Sequence, residues 1–127
     1  MKEDNSILNS ITESVIGCAI EVHKQLGPGL LESIYENALC QEFSIQGIYY
    51  TRQISIPILY KGTQIGEYRL DLLVENQVIV ELKSVNKMDS VFEAQLLTYL
   101  KISGNKLGLL INFNVPALRH GIKRIIL

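Results

Sequence analysis

The sequence predicts an α/β fold of three layers: a mixed central sheet with helices on both faces, in the order ααβββαββ. Three observations predict it. Near the start, two stretches carry apolar residues at helical spacing, separated by Gly27-Pro28-Gly29. Three strand-like segments rich in β-branched residues follow, joined by short polar turns. One more helical stretch then precedes two short apolar segments. Helices before and after a meander place helical layers on both faces of a sheet.

Residues 6–26 read as a helix, because Leu8, Ile11, Val15, Cys18, Ala19, Val22 and Leu26 recur at spacings of three and four. His23 sits at the margin of that stripe, where its plainest reading is a partly buried structural histidine. Gly27 is placed for a left-handed cap. A second helix, residues 30–46, presents Leu31, Ile34, Tyr35, Ala38, Leu39 and Phe43 on one face and stops at Gln46-Gly47. Glu32 lies in its first turn, where the helix dipole favours a carboxylate by about 0.3–1 kcal/mol. Tyr35 follows at i+3 and shares its side.

Residues 54–60 alternate as a strand, and Pro57, which has no N–H for a ladder, makes it an edge. Lys61-Gly62-Thr63-Gln64 turns the chain into a second strand, on which Glu67, Arg69 and Asp71 share a face. Ser90-Val91-Phe92-Glu93 matches a capping box and opens a third helix near Val91. That helix carries Phe92, Gln95, Leu96 and Tyr99 together and ends at Gly104-Asn105. Residues 107–113 form a buried strand and residues 122–127 the last one.

A chain of 127 residues is long enough for a core, and residues 1–127 are expected to be one domain. Net charge is −1, so there is no global basic field; this argues against tight non-specific nucleic-acid binding by the isolated chain, while permitting a local basic groove. Assembly into a homo-oligomer is left open as a source of such a channel. Cys18 and Cys40 read as reduced, buried thiols without metal-type spacing. No apolar run reaches the ~18 residues expected of a membrane span. The opening MKEDNS lacks a leader pattern, so a cytoplasmic protein is expected.

The unusual chemistry lies in residues 68–84, two strands joined by Glu75-Asn76-Gln77. If this hairpin closes over Asn76, Asp71 stands opposite Glu81, with Lys83 on the same face as Glu81. Glu-x-Lys on a strand is most often a surface ion pair. Here the strand around it is almost continuously apolar, and burying charge without a partner costs several kcal/mol. The three groups therefore neutralise one another or hold something.

This set resembles the PD-(D/E)XK nuclease superfamily. An acidic residue on one strand, Glu-x-Lys on the next and Gln-x-x-x-Tyr on the following helix match at Asp71, Glu81, Lys83, Gln95 and Tyr99, and are most like the RecB-type exonuclease branch. The segment GLLESIY, with Gly29, Glu32 and Tyr35, matches the signature of the GxxExxY protein family. The resemblance spans residues 15–126. Leu70 stands where the superfamily's name has proline, a departure that leaves the metal ligand untouched. The resemblance implies a restriction-endonuclease-like fold and metal-dependent cleavage of phosphodiesters, with nucleic acid, DNA above all, as substrate.

Phosphodiester hydrolysis calls for a metal that activates water and neutralises phosphate charge. Mg²⁺ takes hard oxygen ligands, commonly one or two carboxylates, and Mn²⁺ suits similar donors. Asp71 and Glu81 are the candidate metal ligands, with the Leu82 backbone carbonyl between Glu81 and Lys83. Lys83 is placed to orient or deprotonate water or to stabilise developing charge. Glu32 is a further candidate ligand, and His23 a candidate through the neighbouring helix. Gln95, Tyr99 and Tyr35 are candidates for holding substrate. Tyr49, Tyr50 and Arg52 form a weaker candidate stacking surface, ordinary packing being the plainer reading. The competing reading is a non-catalytic binding or regulatory protein that keeps the fold and its polar cluster.

Overall fold

The computed structural model describes residues 5–127; the first four, on which the leader reading partly rests, lie outside the described residues. Helix α1 (Ser6–Leu26) buries Val15, Cys18, Ala19 and Val22, with Thr12 and His23 beside them. It ends at Gly27 with φ 69° and ψ −175°, an extended exit open to glycine in place of the expected left-handed cap. Helix α2 (Glu32–Gln46) buries Tyr35, Leu39 and Phe43 with Glu36 and Cys40. Leu31 and Ile34, expected on that face, are exposed, Leu31 because it is the N-cap and lies outside the helical repeat.

Strands β1 (Tyr50–Tyr60), β2 (Thr63–Val74) and β3 (Val78–Lys83) form the antiparallel meander. The β2–β3 turn has Glu75 and Asn76 at φ 52° and 58°, the backbone a tight hairpin requires. Val74 pairs with Val78 and Leu72 with Val80, so the hairpin is centred on Asn76 as the sequence implies. Helix α3 (Ser90–Ser103) crosses over to β4 (Leu107–Asn112), which runs parallel to β3. Its cap is Asp89, whose carboxylate accepts the Val91 N–H at 3.0 Å. The expected Ser90 capping box therefore does not form: Asp89 caps one residue earlier, and Glu93 accepts a hydrogen bond from Lys123 at 2.6 Å instead. A 3-10 turn (Leu118–Gly121) that the sequence reading lacks leads into β5 (Ile122–Ile126).

The sheet order is β1-β2-β3-β4-β5, with β3–β4 parallel and the other pairs antiparallel. Pro57 lies on the edge strand, as expected. One core joins α1 and α2 to Leu72, Val80, Leu82, Leu109 and Ile111. The other joins Leu96 and Leu100 of α3 to Ile79 and Leu110. Gly108 lets α3 lie close, since a Cβ there would come within 2.8 Å of a Leu96 methyl. Three layers and a mixed sheet result.

The long β1–β2 hairpin rolls over partway along. Leu72 and Val74 face α1 and α2, whereas Leu70, two residues before Leu72, packs in the α3 core. Regular alternation would keep Leu70 and Leu72 on one face. The change comes at Asp71 and at Gln53 on the neighbouring strand, which has φ 54°, uncommon for a residue with a Cβ. Asp71 thus stands at a corner of the sheet.

Candidate active site

Beyond Leu72 and Val80 the β2–β3 ladder stops. Asp71 takes over its role: Oδ2 accepts the Leu82 N–H at 2.8 Å. The Asp71 N–H in turn lies 3.4 Å from Glu81 Oε2. In an antiparallel ladder a residue's N–H and C=O point to the same side. The Leu82 carbonyl is therefore directed to the side on which Asp71 sits.

Glu81 is 7 % exposed. Among the described residues its Oε1 is the buried side-chain polar atom with no hydrogen-bond partner. Such orphans are rare in native proteins and call for an explanation. Burial first, then side-chain hydrogen bonding with the Asp71 carboxylate and its charge, push the Glu81 carboxyl up to about 9, against a lowering by the Asp71 N–H and by Lys83. The fold disfavours a bare second negative charge here, so either a proton or a cation belongs at this oxygen.

Together with Arg69, Lys83, Phe92, Gln95, Tyr99 and Leu110, the two carboxylates line a cavity of about 100 Å³. Water occupies about 30 Å³ in the liquid, so the cavity has room for a few water-sized groups. Lys83 Nζ lies 4.5 Å from the centre of the Phe92 ring, a cation–π contact. Among the described residues the ion pairs are Arg52–Glu36 and Lys123–Glu93, so Lys83 is not tied directly to either carboxylate. Burial, followed by the charges of Glu81, Tyr68 and Asp71, pushes the Tyr99 phenol up to about 12, which keeps it a hydrogen donor. Gln95 and Tyr99 reach the cavity from adjacent turns of α3, as the sequence predicts.

Glu32 stands at the start of α2, within electrostatic reach of Asp71 and Lys83. Burial, then the Asp71 charge, raise its carboxyl above the ordinary range, against a lowering by Lys83. It does not line the cavity. Among the described residues no three His, Cys, Asp or Glu side chains converge as a metal-binding group. The oxygen donors that meet at the cavity are the two carboxylates of Asp71 and Glu81. That set fits a hard divalent ion that keeps several waters, and the unpartnered Glu81 oxygen is the atom such an ion would satisfy.

Two expected site residues lie elsewhere. His23 Nε2 is 2.8 Å from the Val115 carbonyl, and its ring packs near Phe113, in a separate groove with Lys24, Pro116 and Arg119. Tyr35 is fully buried and stacks on Phe113 with ring centres 4.5 Å apart. Its hydroxyl donates to the Gly27 carbonyl at 2.5 Å and accepts the Leu30 N–H at 3.1 Å. It clamps the α1–α2 turn and offers no surface to substrate. For Tyr49, Tyr50 and Arg52 the plainer reading, packing, holds at two positions, while Tyr49 is exposed. Tyr50 packs on Phe43 and Arg52 is bound to Glu36.

Sequence reasoning missed the support behind the site. Glu36 accepts from Arg52 Nη2 at 2.7 Å and from Gln53 Nε2 at 2.8 Å, which holds the strained Gln53 beside Asp71. Asn112, 2 % exposed, accepts the Val85 N–H and donates to the Val85 carbonyl, pinning the chain just after Lys83. The signal for Asn112 was present, as a polar residue ending an apolar strand. The signal for Glu36 was not, because its partners come from a strand whose position the sequence leaves open.

Neither curated proteins nor solved structures yielded a match to the chain. Among the described residues no helix is long and apolar enough to cross a membrane. The sequence profile of the PD-(D/E)XK nuclease superfamily matches residues 9–125. With nearly the whole chain matched, and with Asp71 and Glu81 adjacent on the strands where their spacing put them, the chain belongs to the PD-(D/E)XK nuclease superfamily.

Proposed function

We propose that the protein is a metal-dependent nuclease of the GxxExxY, RecB-like kind that hydrolyses phosphodiester bonds, with DNA as its expected substrate. The observation that carries this reading is the buried, unpartnered Glu81 oxygen beside Asp71. Asp71, Glu81 and the Leu82 carbonyl would hold Mg²⁺ or Mn²⁺, with the Glu32 carboxylate within electrostatic reach outside the cavity. When bound, the ion supplies Lewis acidity toward the phosphate and lowers the pKa of water. Lys83, free of a direct ion pair, holds positive charge where negative charge develops and orients the attacking water. Gln95 and the protonated Tyr99 donate hydrogen bonds to phosphate oxygens from α3.

Incubation with Mn²⁺ or Mg²⁺ and single- or double-stranded DNA and RNA tests the reading. Cleavage is expected in wild type and should fall by at least about 100-fold in Lys83→Ala, in the range of a lost acid–base catalyst. The lysine substitution should leave the fold intact, since Lys83 is in no direct ion pair and gives up a cation–π contact of about 0.5–2 kcal/mol together with a longer-range attraction to Glu32 and Glu81. A second reading, a non-catalytic binding or regulatory protein, is favoured by the lack of a three-residue metal-binding group among the described residues. An inert wild type together with an unstable Lys83→Ala would decide for it.

A further inference from the structure

Beyond the roll at Gln53, the β1–β2 hairpin extends as an arm whose residues 61–69 are all exposed. Along β1, Ile56, Ile58 and Tyr60 alternate onto one face. Tyr68 pairs with Ile56 and shares that face. Ile56 belongs to the α3 core, so this is the side on which α3 lines the cavity. Two tyrosines are left open here, Tyr60 at 60 % and Tyr68 at 43 % exposure. Tyr68 meets Tyr99 of the cavity, ring centres 5.1 Å apart and inclined at 56°. Tyr60 lies four residues farther along β1 than Ile56, about 13 Å at ~3.3 Å per residue.

The charge on the arm is arranged to match. Lys61 places Nζ 5.4 Å from the Tyr60 ring centre. Arg69, which pairs with Ser55 and starts from the opposite face, still lines the cavity at the arm's base, next to the corner at Asp71. The arm's carboxylate, Glu67, accepts from Ser55 at 2.7 Å; both residues alternate away from the Tyr60 face. Exposed aromatic rings beside cations, leading into a cavity with phosphate-handling chemistry, are the makings of a base-stacking track. We propose that the Tyr60–Tyr68 face of the hairpin arm binds single-stranded nucleic acid by stacking its bases, delivering the backbone to the Asp71–Glu81 cavity. This names the substrate class for the nuclease reading and rests on it. A duplex keeps its bases stacked on one another and has none to offer the rings, so the arm selects single strands or frayed ends.

Fluorescence anisotropy tests the proposal with labelled oligothymidylate, oligouridylate and a matched DNA duplex, in EDTA so that nothing is cleaved. Tyr60→Ala should weaken binding of the single strands roughly tenfold, within the range for one lost base–aromatic stack. Tyr60→Phe should bind like wild type, Lys61→Glu should weaken binding, and duplex binding should not change with either tyrosine variant. Thermal melting should be unaltered in Tyr60→Ala, since its ring is exposed. Equal single-strand affinity in Tyr60→Ala and wild type would overturn the proposal. So would absence of oligonucleotide binding by wild type, or parallel losses for duplex and single strand. A dimer dispersed by Tyr60→Ala with oligonucleotide affinity unchanged would assign the face to a second copy of the chain. The two readings fail separately: binding without cleavage sinks the nuclease alone, and cleavage of single strands indifferent to Tyr60→Ala sinks the track alone.

Discussion

Glu81 has one carboxylate oxygen near the Asp71 N–H and the other without a partner, on a strand buried between two helical layers. Folding raises its pKa from 4.5 to about 9, chiefly by burial. The fold thus favours the protonated form. The associated stability is complete below about pH 4.5 and is lost as pH rises through about 9. In metal-free buffer, wild type should therefore weaken steadily over that window. Glu81→Gln, which cannot ionise, should show a flatter profile and exceed wild type at the alkaline end by on the order of 2 kcal/mol. Urea unfolding at a series of pH values checks this, and identical slopes would mean that Glu81 is ionised at little cost. Asp71, Glu81 and Lys83 were legible in the sequence because strand alternation needs no knowledge of distant partners. Tyr35 was misplaced for the opposite reason. Spacing put it beside Glu32, but its burial depends on Phe113, which arrives from β4's end.

Among the elements, the α1–α2 turn bears most directly on the site. The Tyr35 hydroxyl holds Gly27 and Leu30, and the Leu30 carbonyl accepts a 2.6 Å hydrogen bond from Ser84, the residue after Lys83. A clamp in the helical layer is thereby linked to the end of the lysine strand. Tyr35→Phe keeps the ring stack and removes the hydroxyl, so it should cost about 1–3 kcal/mol through two backbone groups left without that partner. Denaturant unfolding measures it; a neutral substitution would show that water replaces the hydroxyl readily. Helix boundaries were legible almost to the residue, because α1 and α2 end at Gly27 and Gly47. The start of α3 was less so. Asp89 and Ser90 are both good caps, and which one is used depends on how the loop from β3 approaches.

For the molecule as a whole, one sheet separates two cores, and the candidate site lies at β3, which pairs antiparallel with β2 on one side and parallel with β4 on the other. An ion held there binds the folded chain alone and should stabilise it by linkage. Mn²⁺ at 100 times its dissociation constant should add about 2.7 kcal/mol, seen as a higher melting temperature that disappears in Asp71→Ala. Equal shifts in both proteins would place the ion elsewhere. The order of elements and the three layers followed from the sequence, because periodicity and glycine punctuation are local. The roll at Gln53 did not, since a positive φ at a glutamine is accompanied by a hydrogen bond to Glu36 from across the fold, which no local pattern announces.

The Asp71–Leu82 hydrogen bond makes the site and the sheet a single opening unit. The carboxylate proposed to grip the ion is also the one that closes the backbone of a central strand. The Leu82 amide proton can exchange with solvent only when Asp71 lets go. Its exchange rate, read by NMR in deuterated buffer, should slow when Mg²⁺ binds and rise well above that of the neighbouring Val80 in Asp71→Ala. That one amide would report occupancy of the site without any substrate present.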